Sequence, residues 1–330
     1  MELYQQLEEA LAKWSNTEYV VACSSGTASL HLALEALSLP PGSGVIVPNY
    51  TMIACARAVT LAGLNPIFVD CNSQLLLDPD LVDLACSQND RIRAVMPVHI
   101  YGRRCDMESL GDLAMKYDLC VIEDLAEGHG ITPYQYSDAA CWSFYKNKIV
   151  AGEEGGAVSF YDSGPASLAC SLRCLGFTED QDYNHVPRGH NYRMSNCHAR
   201  LILGSLRVVQ NNLLERRRIE AMYDKWCPEK WKAAGPRQAP WVYDLRIPGL
   251  TKHQQERIIL ALRGKEIPAR YGFKPMLEQV EYAGLRGYTK DYYLSEASVA
   301  SREVIYLPIQ PGVIDEPEVV RAIKTIHESL

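Results

Sequence analysis

The feature that most constrains this chain is an alternation, from residue 19 to residue 124, of short unbroken apolar runs with segments of helical periodicity. Tyr19-Val-Val-Ala-Cys23, Gly44-Val-Ile-Val47, Pro66-Ile-Phe-Val-Asp70, Ala94-Val-Met-Pro-Val98 and Leu119-Cys-Val-Ile-Glu-Asp124 read as strands. Residues 2–14 read as an amphipathic helix, and 28–37, 52–61 and 107–116 as the helices between strands. The strand runs are continuous in Val, Ile and Leu rather than alternating with polar residues, so both faces of each are buried. That pattern predicts an α/β fold, a mainly parallel sheet flanked by helices.

A chain of 330 residues exceeds the size at which one core usually divides. One long helical stretch is expected from Ser195 to about Tyr223, after which Pro228, Pro236, Pro240 and Pro248 break the chain into short elements. The expected organisation is a large α/β domain over residues 1–225 and a small C-terminal α+β domain over 226–330. Segments 260–264, 267–270 and 316–330 would supply the small domain's helices and strand. The net charge of -7 is spread without a basic run, which argues against a nucleic-acid partner. The N-terminal residues have neither the basic start nor the apolar run of a signal peptide, and no later apolar stretch reaches membrane-spanning length. A soluble cytoplasmic protein with no membrane contact is expected. The 11 cysteines lack paired spacing, which predicts free thiols rather than a disulfide framework or a metal site.

Three segments carry chemistry. Ser24-Ser25-Gly26-Thr27 stands between a strand and a helix, where unpaired first-turn N–H groups and the helix dipole can hold an anion; a plain helix cap is the alternative. Asp124 ends an apolar strand, at the edge where parallel sheets bind ligands. A buried carboxylate there needs a cationic partner, either a protonated pyridine nitrogen or a structural one. Lys148, in Ser143-Phe-Tyr-Lys-Asn-Lys148, lies between an aromatic strand and the glycine-rich Gly152-Glu-Glu-Gly-Gly156, a setting that can desolvate an amine and make it a nucleophile; Lys146 competes for that role.

Taken in order, Ser24-Ser-Gly-Thr-Ala-Ser-Leu-His-Leu-Ala-Leu, Val45-Ile-Val-Pro-Asn-Tyr-Thr, Leu61-Ala-Gly-Leu-Asn-Pro-Ile-Phe-Val-Asp70, Pro97-Val-His-Ile-Tyr-Gly102, Ile122-Glu-Asp-Leu-Ala-Glu-Gly-His-Gly130, Ser143-Phe-Tyr-Lys-Asn-Lys148, Gly155-Gly156 and His190-Asn-Tyr-Arg-Met-Ser-Asn196 resemble the DegT/DnrJ/EryC1/StrS aminotransferases. Fainter likeness continues through Pro268-Ala-Arg-Tyr-Gly-Phe-Lys-Pro275 and Tyr306-Leu-Pro-Ile-Gln-Pro-Gly312. The resemblance implies a fold type I transferase using pyridoxal 5'-phosphate (PLP), working as a homodimer with active sites shared between subunits. It implies that Lys148 is the lysine holding PLP as a Schiff base, Asp124 the partner of the pyridine nitrogen and Glu127 a neighbour of the ring hydroxyl. Gly26, Thr27 and Ser143 match phosphate contacts, and Asn191 and Arg193 match residues reaching in from the neighbouring subunit. The implied reaction moves an amino group from glutamate or glutamine to a keto sugar, in particular a nucleotide-linked keto-deoxysugar. A non-nucleotide ketone such as a keto-cyclitol, or a non-catalytic PLP-binding regulator, are the alternatives.

The sequence departs from the family's pattern at three places. Met52 stands where many relatives place an aromatic ring to stack on the pyridine, a task its thioether or Tyr50 could take. A segment ahead of Glu2 that helps build the substrate side and the dimer is expected to be lacking. Gly189-His190 replaces Gly-Tyr before Asn191.

Overall fold

The computed structural model describes residues 2–178, 183–231, 235–285, 287–288 and 295–330. The chain opens with α1 (Leu3–Ser15), started by a reciprocal capping box between Glu2 and Gln5 and ended by Asn16 in the left-handed region. It continues through β1 (Tyr19–Cys23), α2 (Gly26–Ala36), β2 (Gly44–Pro48), α3 (Ala54–Leu61), β3 (Asn65–Val69), α4 (Pro79–Gln88), β4 (Ile92–Val95), α5 (Met107–Tyr117), β5 (Cys120–Asp124), β6 (Ala139–Ser143) and β7 (Gly156–Phe160). The helices α6 (Ser163–Arg173), α7 (Asn196–Arg207) and α8 (Val209–Trp226) follow. The remainder is β8 (Tyr243–Arg246), α9 (Lys252–Gly264), β9 (Arg270–Tyr271), α10 (Glu296–Glu303), β10 (Val304–Leu307) and α11 (Glu316–Ser329).

Strands β1 to β7 form one sheet in the order β1-β7-β6-β5-β4-β2-β3. The pairs from β6 to β3 are parallel, whereas β7 runs antiparallel to both β6 and β1. Every residue of β2 and β7 is buried, as unbroken apolar runs require of a sheet covered on both faces. A second, antiparallel sheet of β8, β10 and β9 packs with α9, α11 and the end of α8 around its own core of Tyr223, Leu245, Ile258, Ile305, Val319 and Ile326.

The short strand expected at 267–270 lies at Arg270–Tyr271, and three further expectations change. The stretch after Ser195 is two helices, broken at Val208 (φ -109°, ψ 9°). The buried residues Ala199, Ile202 and Leu206 of α7 continue in phase into Val209, Leu213 and Arg216 of α8, so apolar periodicity runs straight through the break. The strand expected at 94–98 lies earlier, at Ile92–Val95. Pro97 has no N–H to give a ladder, and its carbonyl instead accepts from Asp124 N at 2.8 Å. The helix expected to begin at Met52 starts at Ala54, which leaves Met52 free to face outward.

Candidate active site

The carboxyl ends of β5 and β6 and the start of α2 surround a cavity of about 380 Å³, the crevice position at which open parallel sheets take ligands. Gly26, Thr27, Met52, Asp124, Glu127, Ser143 and Lys148 all line it. Ser25 caps α2 by accepting from Ala28 N at 3.1 Å, so the N–H groups of Gly26 and Thr27 are left in the first turn beside the cavity. A Cβ on Gly26 would meet Ser143 Cβ at 2.6 Å; glycine is what lets the helix start and the Ser143 hydroxyl share one wall. Gly156 serves the same end, since a Cβ there would fall 2.2 Å from the Ser25 carbonyl.

Asp124 is buried at the end of β5. One oxygen accepts from Ala126 N at 2.9 Å and the other from the Cys55 thiol at 3.1 Å. Glu127 accepts from Tyr101 N at 2.7 Å through one oxygen, and the other lies 3.8 Å from Lys148 Nζ. Burial pushes Glu127 up to about 7, with Lys148 and the Tyr101 N–H opposing the rise. Burial likewise holds Lys148 below the ordinary lysine range, with Glu127, Asp124 and Cys55 opposing the shift. Its ammonium sits 3.9 Å from the centroid of Trp241, whose indole N–H donates to the Asn147 carbonyl at 2.9 Å. Lys146 points away: it is exposed and does not line the cavity.

Met52 is half exposed and lines the cavity, so the thioether is the side chain available to a ring face there. Tyr50 cannot take over. It is fully buried, with its hydroxyl 3.0 Å from that of Tyr101 and accepting from Phe273 N at 3.2 Å. Asn191 and Arg193 are exposed in the connection between α6 and α7 and do not line their own chain's cavity; Arg193 donates to Cys174 Sγ at 3.5 Å.

Residues from the C-terminal part of the chain complete the walls: Arg270, Phe273 and Tyr306 lie in the two segments of fainter likeness, whereas no local pattern marks Trp241. Cys55 is visible only as one more scattered cysteine.

The donor set suits PLP in particular. An anion-ready helix start, a carboxylate able to face a ring nitrogen and a desolvated amine border one space, and the Cβ-free wall at Gly26 leaves room for a phosphate. The family comparison agrees: the DegT/DnrJ/EryC1/StrS aminotransferase family model matches residues 2–324.

The chain belongs to this family.

It is therefore a PLP-dependent aminotransferase of fold type I architecture. The GDP-perosamine synthase of Caulobacter vibrioides is 32% identical over 98% of this chain and 89% of its own length. The dTDP-3-amino-3,4,6-trideoxy-alpha-D-glucose transaminase of Streptomyces venezuelae is 31% identical over 97% of this chain and 85% of its own. Among solved structures, Streptomyces venezuelae DesV in complex with a ketimine intermediate superposes with a TM-score of 0.88 at 28% identity, covering 99% of this chain and 89% of that one. Among the described residues of this family member, no helix is long and apolar enough to cross a membrane.

Proposed function

We propose that this aminotransferase carries an amino group from glutamate or glutamine to the keto carbon of a nucleotide-linked keto-deoxysugar, as a homodimer with shared active sites. The observation that carries the reading is the placement of Lys148 Nζ beside Glu127 and over Trp241, in the cavity that Asp124 and the start of α2 also border. Support for the acceptor class comes from the names of the two relatives, a synthase of a GDP-linked sugar and a transaminase of a dTDP-linked amino-deoxysugar.

In this reading Gly26, Thr27 and Ser143 would hold the PLP phosphate, Asp124 the ring nitrogen, Glu127 the ring hydroxyl, Met52 one face, and Lys148 the covalent link. When bound, PLP supplies an electron sink for the carbon that loses or gains a proton. The chain's own residues do the rest. Lys148, whose charged form burial disfavours, can take up and return a proton at Nζ. Asp124, fixed by the Cys55 thiol and Ala126 N, would favour the protonated form of the ring nitrogen. Trp241 keeps water from one side of the amine, while Arg270 offers a cation at the same cavity for an anionic group of the substrate.

The test is a two-part assay on purified protein. Borohydride reduction and peptide mapping should place the cofactor on Lys148, and glutamate with GDP- or dTDP-linked keto-deoxysugars should yield amino sugar with ping-pong kinetics. A label on Lys146, or turnover with a keto-cyclitol but with no nucleotide sugar, would overturn the corresponding half. Failure of any amino donor to convert bound cofactor to its amine form would make the protein a binding module.

A further inference from the structure

His31 and Glu35 stand one turn apart on the same face of α2, and the connection after α6 brings His190 against them. His31 Nδ1 is hydrogen-bonded to the Tyr192 hydroxyl at 3.1 Å, which leaves Nε2 as the outward atom of the ring. That Nε2 is buried and has no hydrogen-bond partner; the nearest Glu35 oxygen is 3.7 Å away, beyond hydrogen-bonding range. His190 Nε2 meets the other Glu35 oxygen at 2.5 Å, and one ligand atom from each of the three residues falls within 4.8 Å of the others.

Two imidazole nitrogens and a carboxylate oxygen are a familiar three-ligand set for zinc, whose bonds of about 2.0–2.2 Å bring such atoms to roughly 3.3 Å from one another. Movements of an ångström or less would reach that arrangement. We propose that His31, Glu35 and His190 form a site for a divalent transition metal of the zinc class, which fastens the segment carrying Asn191 to the helix whose first turn lines the cavity. Tyr192 acts behind the ligands, holding His31 in the tautomer that presents Nε2. His190, with 24% of its side chain exposed, is the open side through which an ion enters and a fourth ligand binds. The sequence reading expects no metal because it weighs only cysteine spacing. Residues 35 and 190 are far apart in the chain, and His190 is a position at which the sequence departs from the family's pattern.

The experiment uses chelator-treated holoenzyme, incubated with Zn²⁺ or Co²⁺ alone and freed of excess. Wild type should retain one equivalent of zinc per chain, and His190→Tyr and Glu35→Gln should each retain less than a tenth of that. The Co²⁺ form should show ligand-field bands of a nitrogen- and oxygen-bound ion without thiolate charge transfer, which separates this site from the 11 cysteines. Zinc should raise the melting temperature of wild type and leave that of both variants unchanged. Should one variant fail to fold, the other and the wild-type cobalt spectrum still decide. No retained zinc in wild type, equal retention in folded variants, or a thiolate spectrum would overturn the site and leave an ordinary histidine–glutamate ion pair.

Discussion

Cys55 donates its thiol proton to Asp124 across 3.1 Å, with the Thr51 hydroxyl 3.4 Å behind the sulfur. Burial and the Asp124 charge hold the thiol far above its ordinary range, so it stays a donor at any working pH. Cys55→Val removes a donor from a buried carboxylate and should cost the apoprotein roughly 1–3 kcal/mol, whereas Cys55→Ser should cost less than about 1. Urea unfolding of both apoproteins measures this. The Val penalty should shrink once cofactor is bound, because the ring nitrogen then supplies a second donor. A Val variant as stable as wild type would show that Asp124 draws its support elsewhere.

Asp124→Asn separates a catalytic carboxylate from a structural one. The amide keeps the volume and accepts from Ala126 N as before, so fold and much of the cofactor binding should persist. Without the negative charge the ring proton is lost, and the first half-reaction should slow roughly 100-fold or more. Melting curves beside single-turnover spectra decide it. A variant that melts early yet reacts at the normal rate while folded would remove Asp124 from the mechanism.

The fold was legible where burial imposes a simple pattern and illegible where it does not. Strands such as Val45-Ile-Val47 announce themselves because both faces are covered. Gly156–Phe160 reads less clearly, since Gly156 and Ser159 interrupt it, and no local feature reveals that it runs antiparallel. No helix is expected from the sequence at α4, although Pro79 in its first turn, behind the Asp78 cap, is a start signal. Gly26 and Thr27 begin α2 and Asp124 and Ser143 end β5 and β6, so these cavity residues stand at places the sequence pattern marks. Trp241 could not be found there, because tertiary folding alone brings it to Lys148. Burial chooses Lys148 over Lys146, two residues away, and burial is not written in their shared Lys-Asn-Lys context.

Glu127 makes stability depend on pH. Its folded value of about 7 lies above the ordinary 4.5, so the folded state binds the proton more tightly than the unfolded chain. Below about 4.5 both states are protonated and Glu127 contributes nothing; between 4.5 and 7 the apoprotein loses stability as pH rises; above 7 the loss is complete, on the order of 3 kcal/mol. Glu127→Gln removes the charge and can still accept from Tyr101 N, so it should equal wild type near pH 4 and exceed it near pH 8. Denaturant titrations of the two apoproteins across that range check the sign. A gap that closes as pH rises would mean that pairing with Lys148 outweighs burial.

Asn191 and Arg193 line no part of their own chain's cavity, and their exposure is what shared sites in a homodimer require. If each subunit's Asn191 completes the partner's site, Asn191→Ala and Lys148→Ala should each be inactive alone. In a hybrid of the two variants, one site contains Lys148 from one subunit and Asn191 from the other, both native, while the second site lacks both. Random exchange makes half of the dimers hybrid, each with one working site of two, so an equal mixture should recover about a quarter of wild-type activity. The readout is turnover after subunit exchange, with hybrid content measured by native mass spectrometry using a mass tag on one variant. Recovery that tracks hybrid content supports the shared site. Full activity of Asn191→Ala alone, or no recovery in a sample shown to contain hybrids, would return Asn191 to a surface role.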